Sequence, residues 1–161
     1  MKKKLLLTIV FSIFFITSTY AAGSSGNSDN KSVYERGYYI IKKAKKLEKK
    51  GKIEKAQEHY KRALKYFAKA NNEKPGDPDI LNYLGFATRK TGDFKNAEVY
   101  YLLGLEKDPK HVGINEYLGE LYLETNRKNL ALERLAILEN CNCEEYNQLK
   151  QVINGTKKSK Y

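Results

Sequence analysis

Cys141-Asn-Cys143 holds both cysteines of this 161-residue chain and is its most reactive feature. The pair admits three readings. A local disulfide would pin the turn in which it lies, a dithiol would exchange electrons, and two free thiols would only pack. A ring closed across one intervening residue is strained, and strained disulfides are readily reduced. A turn-stabilising role, oxidised or not, is favoured over redox chemistry. Two thiols with no histidine beside them do not make a zinc site, and no metal is expected. The two histidines, His59 and His111, are far apart in sequence. His59 sits in a lysine-rich helical stretch and His111 follows a Pro-Lys turn, so both read as polar surface positions. The chain shows no Ser-His-Asp arrangement, no glycine loop that would cradle a phosphate and no zinc signature. The expectation is a protein without catalytic residues, cofactor or metal.

Charge is the second feature with chemical content. The net charge is +11, and it is unevenly placed: residues 31–74 hold 15 Lys/Arg against 5 Asp/Glu, residues 75–161 hold 12 against 13. Such a basic segment attracts nucleic acid or anionic membranes. Lysine outnumbers arginine 25 to 5, and the lysines fall around the polar side of amphipathic helices, where solvated charge is the default. No nucleic-acid partner is expected. An electrostatic bias toward an anionic membrane surface is the better expectation.

The beginning of the chain is a segment apart. Lys2, Lys3 and Lys4 precede an apolar run from Leu5 to Ile16, followed by small and polar residues from Thr17 to Ala22. This three-part order is that of a secretory signal peptide, and the apolar run is shorter than the roughly 20 residues of a spanning helix. Cleavage after Ala21 places Thr19 and Ala21 at the small-residue positions, giving a signal peptide over 1–21; an uncleaved anchor is the alternative. Residues 22–31, rich in Gly, Ser and Asn, read as a flexible leader. The expected location is an exported compartment, periplasmic in a bacterium or secreted. An oxidising compartment also permits the disulfide.

The rest is organised by repetition. Gly85 and Gly119 are 34 residues apart, as are Leu84 and Leu118, and Ala97 and Ala131. Asn82-Tyr-Leu-Gly85 and Glu116-Tyr-Leu-Gly119 each lead to a polar turn, Thr91-Gly-Asp-Phe94 and Thr125-Asn-Arg-Lys128, and then to a second helical pattern. A glycine on one helix and an alanine on the next allow close approach, with large residues one turn away filling the gaps. Asp77-Pro78 opens one helix with a capping aspartate and a proline in its first turn, Asp93 caps the next, and Ser32-Val-Tyr-Glu35 has the form of a capping box. Gly51-Lys-Ile-Glu-Lys-Ala56 repeats the turn, but Ala56 lies 41 residues before Ala97. The seven extra residues are close to two helical turns and predict a second helix prolonged to about Asn72.

These residues resemble the tetratricopeptide repeat (TPR) family, a 34-residue helix–turn–helix. Leu81, Leu84, Gly85, Gly92, Ala97, Tyr101, Gly104 and Pro109 carry the match in one repeat. Leu118, Gly119, Tyr122, Ala131, Leu135 and Leu138 carry it in the next, where Cys143 replaces the usual proline. Glu116-Tyr-Leu-Gly-Glu-Leu-Tyr-Leu-Glu124, Cys143-Glu-Glu-Tyr146 and Leu149-Lys150 also resemble a subgroup of short exported bacterial TPR proteins. The resemblance implies an all-α fold, a right-handed α-solenoid of about three repeats and a C-terminal capping helix. The TPR domain spans 32–158, with repeats at about 37–74, 78–111 and 112–145 and the capping helix at about 144–157, whose Tyr146, Leu149 and Ile153 share one face. Three repeats are near the minimum for stability, so an oligomer is an open expectation.

In such stacks the first helices of the repeats line a groove. By spacing, its candidates are Tyr38, Ile41 and Lys45, then Asn82, Phe86 and Arg89, then Glu116, Glu120 and Leu123. Phe86 and Leu123 either accept apolar side chains or pack between repeats; Arg89, Glu116 and Glu120 would fix polar ends. Some family members hold acidic chain termini in a clamp of lysine, asparagine and arginine. Asn82 fits one clamp position, but Glu116 and Glu120 stand where positive charge is wanted, and that clamp is rejected. The function expected is a non-catalytic adaptor that binds a peptide or protein. An envelope protein docked through its basic first repeat, and a thiol–disulfide role for Cys141 and Cys143, are the alternatives.

Overall fold

The computed structural model of the protein describes residues 31–159. The signal peptide over 1–21 and almost all of the leader over 22–31 lie outside the described residues. Within them the chain is all-α: α1 (Val33–Glu48), α2 (Ile53–Glu73), α3 (Pro78–Lys90), α4 (Phe94–Lys107), α5 (Val112–Glu124), α6 (Lys128–Leu138) and α7 (Glu144–Ile153). Consecutive helices pack as pairs, α1 on α2, α3 on α4 and α5 on α6, and α7 closes the array against α5 and α6. Among the described residues no helix is long and apolar enough to cross a membrane.

Local chemistry starts these helices. Ser32 Oγ accepts from the Glu35 amide at 3.1 Å and Glu35 Oε2 accepts from the Ser32 amide at 2.7 Å, the reciprocal capping box. The bond donated by the Ser32 amide stabilises the ionised carboxylate and holds the Glu35 carboxyl below its ordinary range. Asp77 accepts from the amides of Asp79 and Ile80 with Pro78 in the first turn, and Asp93 accepts from Asn96. At α5 the cap is His111, whose Nδ1 accepts from the Ile114 amide at 3.1 Å while Nε2 faces Asp79 Oδ1 at 3.2 Å. The accepting Nδ1 places the proton on Nε2, so this imidazole joins the start of α5 to the start of α3. The turns within the pairs share one device: Gly51, Gly92 and Asn126, at corresponding positions, all have φ between 60° and 90°. Asparagine and glycine are the residues that tolerate this left-handed conformation.

Small residues make the close contacts, both within the pairs and against α7. Ala56, Ala97 and Ala131 are all buried. A Cβ at Gly85 would lie 2.5 Å from the ring of Tyr101, and one at Gly119 would lie 2.6 Å from Leu149. The first pair is longer than the others. Helix α2 has 21 residues, and its last turns carry Phe67 and Ala70 into the core. Phe67 lies under Gly37, stacks on Tyr83 at 5.3 Å and meets Tyr34 edge-on at 5.8 Å. Burial of these rings is the main reason the extra turns persist, because dispersion and the hydrophobic effect scale with the area removed from water.

Helix α7 is shorter than expected. It ends at Ile153 rather than near 157, because Gly155 turns the chain at φ 71° and the amides of Thr156 and Lys157 bond back to Gln151 O. The residues after Gly155 are thereby turned out of the helix axis.

Candidate functional site: the face of the first helices

Helices α1, α3 and α5 lie side by side and present one continuous face. An aromatic and cationic ladder joins them. Tyr38 meets Tyr83 edge-on at 5.3 Å, and Phe86 lies 5.1 Å from Tyr117. Lys45 Nζ stands 4.3 Å over the Phe86 ring and 3.5 Å from Tyr117 Oη. An ammonium over an aromatic face is held by the ring quadrupole. Burial, followed by the field of Glu116, pushes the Tyr117 hydroxyl well above the ordinary tyrosine range.

Beyond this ladder the face turns ionic. Arg89 is only 2% exposed and Glu120 is completely buried. Arg89 Nη1 donates to Tyr117 O at 2.6 Å, Nε donates to Glu124 Oε2 at 3.2 Å, and Nη2 lies 3.0 Å from Glu124 Oε1. Glu120 Oε2 is 3.8 Å from Nη2. Of the acidic stripe Glu116, Glu120, Glu124 at successive i+4 positions of α5, Glu120 and Glu124 thus face the guanidinium of α3. On the other side, Lys90 pairs with Glu48 of α1, and Glu48 Oε2 also accepts from Tyr60 Oη at 2.9 Å.

The groove candidates therefore occupy different depths. Tyr38 is the most exposed of them, at 40%. Lys45 and Leu123 are half-buried, and Leu123 packs against the core. Phe86, Ile41, Asn82, Arg89, Glu116 and Glu120 are buried. Phe86 belongs to the core between Tyr60 and Tyr117. Asn82 is held close to the first turn of α5, where a Cβ at Gly113 would fall 2.8 Å from its Nδ2; its Oδ1 is buried without a hydrogen-bond partner among the described residues. Glu48, Lys90, Tyr117, Glu124 and Ser159 complete the face and were not among the sequence candidates. Glu124 was findable, as the third carboxylate of the i+4 stripe. Ser159 carries no local signal, since it lies outside the repeats.

The remaining chemical candidates stand apart from this face. Cys141 and Cys143 are joined by a disulfide with Cα atoms 5.2 Å apart, in the turn where Asn142 has φ 49° and Cys143 precedes α7. His59 Nδ1 faces Lys55 O of its own helix at 2.9 Å. Among the described residues no group of three or more His, Cys, Asp or Glu is placed to hold a metal ion.

Among the described residues, three helix pairs closed by α7, with α1, α3 and α5 sharing one polar face, define an all-α helical-repeat protein of TPR-like fold. A solved structure shows the same architecture: the type III secretion translocator chaperone SycD of Yersinia enterocolitica, in an alternative dimer. It is similar with a TM-score of 0.51 at 18% identity, over 80% of this chain and 92% of that one. At that identity the likeness is one of fold. No family model matches the chain, and no curated protein matches it.

Proposed function

We propose that this protein is a non-catalytic adaptor of an exported compartment, which holds a peptide or a segment of a protein on the face of α1, α3 and α5. The observation that carries the reading is the buried charge on that face. A helical stack requires only apolar contacts between its layers, and burying ions costs more than burying hydrocarbon of the same volume. Arg89, Glu116 and Glu120 nevertheless sit almost wholly buried along one face, flanked by Lys45, Tyr38 and Leu123, which remain accessible. Such a preformed polar face binds with little reshaping. The similar fold of a translocator chaperone supports the same reading, and the three-part leader supports export.

The test is selection of binders from a displayed peptide library, followed by titration against variants. Lys45→Ala with Asn82→Ala should weaken the selected peptides at least ten-fold while the far-ultraviolet spectrum stays helical. Undiminished binding by that variant would sink the assignment of this face. Phe86 is left unchanged because its ring is core. For export, the amino terminus of the protein from its native compartment should follow Ala21.

A second reading rests on a separate hollow of about 350 Å³ on the first pair, lined by Lys31, Arg36, Lys43, His59 and Arg62 with Tyr39 and Tyr66. Its lysines and arginines, Lys31, Arg36, Lys43 and Arg62, are exposed together and suit an anionic membrane surface. Binding to phosphatidylglycerol vesicles should appear at low salt and fade within the physiological range, as screening requires. Absence of binding at low salt ends this second reading.

A further inference from the structure

The residues that follow α7 return to the face just described. Gly155, at φ 71°, reverses the chain, Lys157 Nζ reaches Gln148 Oε1, and Ser159 arrives between Arg89 and Glu120. Its Oγ accepts from Arg89 Nη2 at 3.2 Å and donates to Glu120 Oε2 at 2.8 Å. These partners lie 70 and 39 residues away in sequence, so the contact is tertiary. Directly, Arg89 Nη2 and Glu120 Oε2 are 3.8 Å apart, beyond hydrogen-bond distance. The serine hydroxyl, donor and acceptor in one atom, closes that interval.

We infer that Arg89 and Glu120 form a receptor for the hydroxyl of a serine or threonine in an extended partner segment, and that the protein's own residues 156–159 occupy it until such a segment displaces them. The inference rests on the peptide-binding reading above and names the class of peptide. The chemistry is selective in both directions. An alanine would forfeit both of the serine's bonds, the one it accepts from Arg89 Nη2 and the one it donates to Glu120 Oε2. A phosphoserine would set a dianion against the carboxylates of Glu120 and Glu124, which the low local dielectric makes strongly repulsive. Space for flanking residues exists beside the tail: a hollow of about 640 Å³ is lined by Lys45, Glu48, Lys49 and Ile53 together with residues 157–159. A tethered tail competes at an effective concentration in the millimolar range, so the resting site is largely closed to weak ligands.

The experiment uses the full chain and a fluorescein-labelled synthetic peptide Gly-Thr-Lys-Lys-Ser-Gly, read by anisotropy. Two variants loosen the tail independently. Ser159→Ala removes both of its bonds, and Gly155→Val opposes the left-handed turn, where a Cβ meets no steric obstacle and only the backbone conformation resists. Each should bind the peptide about ten-fold more tightly than the unaltered protein. Replacing the peptide serine by alanine, or phosphorylating it, should reverse that gain in full. Equal affinity of the unaltered and loosened proteins would overturn the tail as competitor, and equal affinity of the serine and alanine peptides would overturn the hydroxyl receptor. If the alanine peptide binds the loosened proteins as well as the serine peptide does, the peptide-binding reading stands and this inference falls. If neither peptide binds and library selection also fails, both fall.

Discussion

Gly85 of α3 lies directly beneath the ring of Tyr101 of α4, so closely that a Cβ at position 85 would meet the ring carbons at 2.5–2.8 Å. Tyr101 is completely buried and its ring cannot swing aside. Gly85→Ala should therefore force the second helix pair apart and destabilise the protein by about 1–3 kcal/mol, the range of core overpacking. The equivalent Gly119→Ala meets the methyl groups of Leu149 instead, a flexible side chain on the closing helix. It should cost less. Urea denaturation of the two variants checks both the sign and the order.

Lys90 and Glu48 tie the end of α3 to the end of α1. The Lys90 side chain is 4% exposed and that of Glu48 is 28% exposed, and the asymmetry sets the outcome of mutation. Glu48→Ala leaves a buried ammonium without its carboxylate and should cost about 3 kcal/mol. Lys90→Met leaves a carboxylate that water can reach and that keeps the Tyr60 hydroxyl, so it should cost clearly less. The double variant should be less damaging than the sum, with a coupling of about 1–3 kcal/mol in a double-mutant cycle. A coupling near zero would show that the pair contributes nothing to the joint between α1 and α3.

The repeat architecture was legible in the sequence because its determinants recur. Gly85 and Gly119 stand at the same offset because each first helix is closely approached there, by Tyr101 of α4 in one case and by Leu149 of α7 in the other, and Ala97 and Ala131 recur as buried small residues of the second helices. The caps of Ser32, Asp77 and Asp93 were legible because each bond is closed within three residues. Depth on the first-helix face was not legible. Residues at helical spacing along one stripe share a direction, but whether the neighbouring helix covers them depends on packing. Hence Phe86 and Tyr38, on the same nominal face, differ completely in exposure. The Ser159 contact was beyond reach for a further reason: it joins a segment outside the repeats to partners 39 and 70 residues away, with no local pattern to announce it. The end of α7 turned on Gly155, whose left-handed conformation stops a helix whose apolar spacing runs no further than Ile153.

Alkaline titration should expose the aromatic ladder. Burial, with help from Asp79 and Asp77, pushes the Tyr34 hydroxyl up to about 12. Burial also pushes Tyr60, Tyr83 and Tyr117 above the ordinary range, aided by Glu48, by Tyr34 and by Glu116 respectively. A neutral acid with a raised folded pKa contributes stability that is fully present below the unfolded value, about 10. That contribution is lost as pH rises through the folded value. Helicity should therefore hold to about pH 10 and collapse above it, with tyrosinate absorbance near 295 nm rising in the same step. Tyr117→Phe removes one of the titrating groups and should move the alkaline midpoint upward. Tyrosinate appearing for all four rings while the far-ultraviolet spectrum is unchanged would contradict their burial.

Reduction of Cys141–Cys143 should be felt locally. The bond spans a sequence separation of 2, and the chain-entropy model assigns a loop this short only about 1.5 kcal/mol. Its place is the turn between α6 and α7, so what it constrains is the seating of the closing helix. Leu149 of α7 is buried on Gly119, and the segment that carries Ser159 leaves from the end of the same helix. A reductant, or Cys141→Ser with Cys143→Ser, should raise amide exchange in α7 and the turn before it, with α1 to α4 keeping their protection. Loosening α7 also loosens the tail that it delivers, so the same change should bring the serine peptide's affinity toward that of Ser159→Ala. Uniform loss of protection across all seven helices would instead make the disulfide a global staple, which a ring of this size cannot be on entropic grounds.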